Sequence, residues 1–395
     1  MMWRSIAAVV LAGVFASAAG LAASSQVASP APAASPDVTS SIAQLGSFDF
    51  PARTDAARRV RRAEAAVAIP ALDNAVRTST DEYVRFRALV LLAAFDGTVA
   101  DRAMRDMLKD RNDRLRTTAY QWFEHHPDPS VLPTLLAALS TENSEFVRPA
   151  LTRAVAAFGS SSSAARAALL PLVTRGEDLF RGALIEALGD YRARYALSEI
   201  VEVAKLDGPL QDDAITAIGK IGDPASIALL ADLQRTAEPE TLPTIAAAFC
   251  LLGADCAARQ AYLTKTLAFT ARDPDEQPVL RGVVHALGVL ATHGQGWALT
   301  ALLDAGVPAS DPARAAIALG VGLVTLRATP LMLRVMESRG NRAGVAELIR
   351  DAFDMLSEDL DEERCYAELR RAYWAAPAGS ATRATAEMMI RELEF

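Results

Sequence analysis

Histidine, cysteine, lysine and aromatic side chains are all scarce in this chain of 395 residues, with four histidines, three cysteines and four lysines. The sequence has no His-Glu-x-x-His, no Gly-x-Ser-x-Gly, no phosphate loop and no Cys-x-x-Cys; Gly219-Lys220 lacks the glycine spacing that a phosphate loop needs. Ser160 to Ser163 reads as a flexible turn without a general base beside it. His125 and His126 follow Glu124 and precede Pro127, which suits a solvated helix end better than a metal site. These absences leave no residue to assign as catalytic, cofactor-binding or metal-ligating, and no cofactor is expected. Aromatics make up only 6% of the chain while 51% is hydrophobic and rich in alanine, a composition that suits close-packed helix pairs. Charged residues at 22% argue against disorder over most of the length. Beyond the first residues no segment is long and apolar enough to span a bilayer, so no membrane insertion of the mature chain is expected.

What the chain does have is a period. Arg53, Arg85, Arg116, Arg148 and Arg181 are spaced by 32, 31, 32 and 33 residues. The series continues through Gln211, Pro243, Arg281 and Arg314. A repeat near this length means an array of supersecondary units. One residue before the marker stand Ala52, Val84, Leu115, Val147, Phe180, Leu210, Leu242 and Leu280. Three after it stand Ala56, Ala88, Ala119, Leu151, Leu184, Ala214 and Ala246. Seven after it stand Val60, Leu92, Phe123, Val155, Leu188, Ile218 and Cys250. Offsets of −1, +3 and +7 share one stripe of a helix. A second apolar stripe precedes each of these helices, as in Val131 to Leu136 and Ile227 to Ala231. Each period therefore reads as helix, turn, helix. Phe158-Gly159, Leu188-Gly189-Asp190 and Ile221-Gly222-Asp223 read as the closing signals of second helices.

The run Asp81-Glu82-Tyr83-Val84-Arg85-Phe86-Arg87-Ala88 and the run Ala214 to Pro224, ending Gly222-Asp223-Pro224, resemble HEAT repeats. The likeness is closest to the short bacterial HEAT-like repeats first described in phycobilin lyases, and it covers roughly residues 47–395. It implies an all-α solenoid, here of about ten helix pairs, growing in one dimension into an elongated particle. It implies no single function, because such repeats serve in lyases, glycosylases, hydroxylases and plain scaffolds. The His-Glu pairs that hold two irons in the hydroxylases are absent. A glycosylase would need a basic concave cleft, and the outward face of mixed sign argues against nucleic acid as a partner.

Residues 1–23 read as a secretory signal peptide: a basic start at Arg4, an apolar stretch from Ile6 to Phe15 and the small-residue pattern Ala16-Ser17-Ala18. Residues 24–46, with Pro30, Pro32 and Pro36 among Ala and Ser, read as a disordered tether. Residues 47–395 form the solenoid, and export places it in the periplasm or outside the cell. Cys250 and Cys256 are positioned to bridge across one turn in an oxidising compartment. Cys250 also occupies the +7 column, so a small core side chain is the simpler reading. Cys365 has no evident partner.

Charge is uneven, with a net of +4 over residues 51–123 and −11 over residues 124–395. The basic cluster Arg58 to Arg62 lies early and the acidic run Glu358 to Glu363 lies late. Two readings stand: a bipolar surface that steers a charged partner, or helix-surface ion pairs with interleaved acids such as Asp101, Asp106, Asp110 and Asp113. The repeated arginine lies on the flank of the apolar stripe. Its expected role is an inter-repeat ladder, in which an Asp or Asn three to five residues earlier caps the helix and the arginine bonds to it or to carbonyls of the next repeat.

The face opposite the stripe supplies the candidate partner-binding residues. In early repeats it is polar, at Arg87, Thr117, Gln121 and Arg153. In later repeats it turns small and apolar, at Gly282, Val283, Ala286 and Leu319. Either this face is an open concave groove for a partner, or a tightly wound superhelix packs it away. The function expected is a non-catalytic, exported scaffold that binds a protein. The alternative is an enzyme or enzyme accessory, such as a lyase-like chaperone of a cofactor-bearing protein, recognisable by a deep polar pocket with convergent titratable groups.

Overall fold

The computed structural model describes residues 36–95, 97–356 and 360–395. The signal peptide of 1–23 and the tether up to residue 35 lie outside the described residues. The described residues form one compact unit. Among the described residues there are 22 α-helices and no strand. They pair in chain order. The first five pairs are α1 (Pro36–Gln44) with α2 (Phe50–Arg62), α3 (Ala65–Thr78) with α4 (Glu82–Ala93), α5 (Thr98–Met107) with α6 (Asp113–His125), α7 (Leu132–Leu139) with α8 (Arg148–Ala156), and α9 (Ser163–Val173) with α10 (Asp178–Asp190). Next come α11 (Leu197–Ala204) with α12 (Gln211–Ile221), α13 (Ser226–Gln234) with α14 (Leu242–Leu251), and α15 (Cys256–Thr270) with α16 (Gln277–Thr292). The last three pairs are α17 (Gly296–Gly306) with α18 (Ala313–Arg327), α19 (Thr329–Glu337) with α20 (Arg342–Phe353), and α21 (Leu360–Ala375) with α22 (Ala381–Glu392).

The apolar stripes account for the stack. Every residue named at offsets +3 and +7 is buried. Second helices lie against the second helices of neighbouring repeats, α6 to α8, α10 to α12 and α16 to α18 among them. Glycine sets the closest approaches. A Cβ at Gly189 would stand 2.8 Å from the Ala217 Cα, and one at Gly219 would stand 2.8 Å from the Ala248 Cα. Gly189 thus lies within the last turn of α10, which Asp190 ends. Gly222, at φ 76°, does end α12, as expected of a left-handed cap residue.

Residues 36–46, expected within the tether, instead supply the first helix of the first repeat. Val38, Ile42 and Leu45 are buried against the repeats that follow. Pro36 opens this helix, where a missing N–H costs nothing.

The arginine ladder takes a definite form. Arg85 Nε donates to the Val76 carbonyl at 2.9 Å, Arg116 Nη1 to Asp110 at 2.8 Å, and Arg181 Nε to Val173 at 3.0 Å. Gln211 Nε2, standing in for arginine, donates to the Ala204 carbonyl at 3.2 Å. These carbonyls lie in the last turn of the first helix of the same repeat or, for Asp110, in the turn just after it, not in the next repeat as expected, and a cation there also meets the negative end of the helix. The contact to the next repeat is made by ion pairs: Arg85 to Asp110 at 2.6 Å, Arg116 to Glu142 at 2.8 Å and Arg314 to Asp351 at 2.7 Å. Asp81 caps α4 by accepting from the Tyr83 and Val84 N–H groups.

The array is not open-ended. The last repeat returns to the first, so among the described residues the superhelix closes, against the expectation of elongation. Helix α21 packs on α18 on one side and on α4 and α6 on the other. Leu360 joins the core of the N-terminal repeats. Arg61 of α2 forms a two-pronged bond with Glu363 of α21, at 3.0 Å and 2.5 Å, with both side chains buried. Arg58 approaches Glu394 at 3.9 Å, and Arg62 donates to the Phe395 carbonyl at 3.4 Å. The basic cluster and the acidic run are therefore partly each other's partners. Elsewhere in the basic stretch, Arg102 pairs with Asp73 and Arg105 with Asp101 and Asp128, as the helix-surface reading expects. Cys250 and Cys256 form a disulfide, and Cys365 is buried and unbridged. No single helix among the described residues is long and apolar enough to cross a membrane.

Candidate functional site

Closure brings the inner faces of distant second helices around one cavity of about 510 Å³. Two register positions point into it. Offset +5 supplies Arg153, Glu186 and Thr216; offset +9, one turn on, supplies His125, Asp190, Lys220 and Leu323. Helix α16 contributes His285, and His293 just past its end, from the opposite wall, and α21 contributes Asp361 and Arg364.

The charges form a connected network. Arg153 Nη2 lies 2.8 Å from Glu124 and 2.9 Å from Asp190, and its Nη1 lies 3.6 Å from Glu186. Lys220 reaches Asp190 at 2.7 Å, and Arg327 crosses from α18 to Glu186 at 2.7 Å. The Tyr191 hydroxyl donates to Glu124 at 3.1 Å. Burial opposes ionisation of Asp190; Lys220 and Arg153 outweigh it and hold the carboxyl below its ordinary range. Burial likewise opposes ionisation of Glu186, and Arg327 and Arg153 reverse the balance.

Asp213 behaves differently. No hydrogen bond or ion pair reaches it among the described residues. Burial, then the charges of Glu186 and Asp212, raise its pKa to about 6. Burial keeps His285 and His293 neutral to lower pH than usual, with Lys220 adding to the effect. His285 Nε2 stands 3.5 Å from the Thr216 hydroxyl, and His293 Nδ1 donates to the Val289 carbonyl at 2.9 Å. His125 ends α6 and is exposed, as expected, and Arg364 donates to its Nε2 at 2.6 Å across the closure. Among the described residues no three His, Cys, Asp or Glu side chains are placed to hold a metal ion.

The sequence-derived candidates scatter. Arg153 alone lines the cavity. Arg87 is buried. Thr117 and Gln121 are half-buried on α6. Val283 and Ala286 are buried between repeats, and a Cβ at Gly282 would stand 2.5 Å from the Glu240 carbonyl oxygen. Leu319 is 39% exposed. This part of the face is packed, not an open groove. The +9 column went unread in the sequence because Asp190 resembled a helix stop.

A second feature lies at the turns between paired helices. Phe146 and Leu179 occupy the same register position, two residues before Arg148 and Arg181, and are 76% and 65% exposed. They line a depression of about 600 Å³ whose rim carries Glu145 and Glu177. Arg148 lies 4.1 Å over the Phe180 ring in its wall.

A family model for HEAT repeats matches residues 102–189. That stretch is made of HEAT repeats. No curated protein matches the chain in sequence. Among solved structures, the chain is similar to the complex of CpcE and CpcF of phycocyanin lyase from Nostoc sp. PCC7120, at 16% identity and a TM-score of 0.40, over 66% of this chain and 96% of that one. A structure of Kap95p binding RanGDP matches at 12% identity and a TM-score of 0.42, over 90% of this chain and 60% of that one. Kap121p matches at 15% identity and a TM-score of 0.40, over 90% of this chain and 48% of that one. Likeness at these identities concerns the fold alone.

Proposed function

We propose that this HEAT-like protein is an exported, non-catalytic scaffold that binds a protein partner in the bacterial periplasm or envelope. The carrying observation is the pair Phe146 and Leu179, two large apolar side chains held in solvent at equivalent positions of adjacent repeats. Apolar side chains so placed and rimmed by acids suit a partner segment whose apolar residues are flanked by Lys or Arg. The basic and apolar N-terminal stretch supports export, and the Cys250–Cys256 disulfide supports an oxidising compartment. Crosslinking and capture from the native envelope test the reading. A protein recovered with the wild type is expected to be lost with Phe146→Asp/Leu179→Asp, at an unchanged melting temperature. Equal recovery by both would refute it.

The second reading, an enzyme or enzyme accessory, is favoured by Asp213, His285 and His293 lining one cavity. On that reading Asp213→Asn would abolish turnover or partner maturation while capture by the Phe146 edge stayed intact.

A further inference from the structure

The central cavity has a charge balance that points to a ligand. Its cations are committed. Arg153 serves Glu124, Asp190 and Glu186; Lys220 serves Asp190; Arg327 serves Glu186; Arg364 serves Asp361 and His125. The carboxylate left over is Asp213, at the first turn of α12. The helix N-terminus there favours its charge, but no cation of the protein pairs with it. The charges that act on it are Glu186 from α10 and Asp212 and Lys220 from its own helix; His285, His293 and Arg327 line the same cavity. Lys220 and Arg327 point to other acids, and neutral imidazoles add acceptors, not charge. The wall that carries His285 and His293 also has an apolar part: Val284, Val289 and Leu323 line it, and Leu323 is 39% exposed. Gly288 leaves this wall open: a Cβ there would meet nothing closer than Val324, at 3.9 Å. A half-buried carboxylate without a paired cation, beside apolar side chains in a space of ordinary ligand size, is a recognition geometry.

We infer that this cavity binds a small organic cation, an alkylammonium whose charged head pairs with Asp213 and whose short apolar body lies against Val284, Val289 and Leu323. The site is separate from the Phe146 edge, so either can fail without the other.

The probe is n-butylammonium, with butyrate and n-butanol as anionic and neutral comparators, measured by titration calorimetry at pH 7.5 on the mature chain. n-Butylammonium is expected to bind, and each comparator to bind at least about tenfold more weakly, as a charge-assisted bond of this kind requires. Asp213→Asn is expected to weaken binding by at least about tenfold while the melting temperature does not fall. Gly288→Leu, which fills the cavity without touching Asp213, is expected to block binding. Affinity should drop as the pH falls through 6. Absence of n-butylammonium binding, butyrate binding as well as n-butylammonium, or full affinity in both variants would overturn the inference.

Discussion

Removing either partner of the Arg61–Glu363 pair should open the seam of the superhelix. The two side chains are 5% and 1% exposed, and the guanidinium also lies 5.4 Å from the Phe395 ring and 5.7 Å from the Tyr366 ring. A solvent-exposed ion pair would contribute about 1 kcal/mol at most. A buried pair behaves otherwise: deleting one partner leaves the other charge without water or counter-ion, at a cost of about 3–5 kcal/mol. That cost falls on one interface, the seam where α21 meets the N-terminal repeats. Cys365, Tyr366 and Leu369 remain anchored in the C-terminal core whether or not the seam is shut. The expected result is therefore local opening rather than global unfolding.

Arg61→Ala and Glu363→Ala should each raise the opening constant of residues 36–62 and 360–395 by about 100-fold in native-state hydrogen exchange, the equivalent of about 3 kcal/mol. Small-angle scattering should show a larger radius of gyration. The double variant Arg61→Met/Glu363→Met should cost less than either single one, since it removes both charges and keeps apolar bulk. Singles that stay within about 0.5 kcal/mol of the wild type, or a double whose cost equals the sum of the singles, would refute the lock.

The ladder predicts a contrast between equivalent arginines. Arg116→Ala loses bonds to the Asp110 carbonyl, Asp113 and Glu142, and should cost about 1–3 kcal/mol in urea denaturation, whereas exposed Arg281→Ala should stay within about 0.5 kcal/mol. Asp213 predicts a pH dependence with a fixed sign. Its folded pKa of about 6 lies above the ordinary 3.8, so the folded state holds the extra proton between those values, and this group's contribution to stability falls as pH rises across that window. Asp213→Asn should flatten that slope and raise stability at pH 7 by about 1–3 kcal/mol, read from denaturation at pH 4.5 and 7.

The local period was legible because it is written in every repeat. Offsets −1, +3 and +7 alone fix which face of each second helix is buried. The same register holds a signal that the tether assignment overlooked. Arg53 marks a second helix, so a first helix has to precede residue 50, and Val38, Ile42 and Leu45 carry its apolar stripe. Prolines at 30, 32 and 36 masked it, although Pro36 falls where a helix tolerates proline. Closure was not legible in the same way. Arg61 and Glu363 are 302 residues apart, and each looks like an ordinary helix-surface charge. Whether they meet depends on small rotations between repeats summed over the whole array, and a repeat pattern does not state those rotations. The cavity lies between these cases. A charged residue on the face away from the stripe looks the same whether that face meets solvent or another wall. The distinguishing trace is the change of sign down one column: Arg153 then Glu186 at +5, Asp190 then Lys220 at +9. Solvated faces have no need to balance charge between repeats, but facing walls that exclude water do. Asp213, at offset +2, lies outside both columns, and the equivalent positions Ala183 and Ile245 of the neighbouring repeats provide no cation for it.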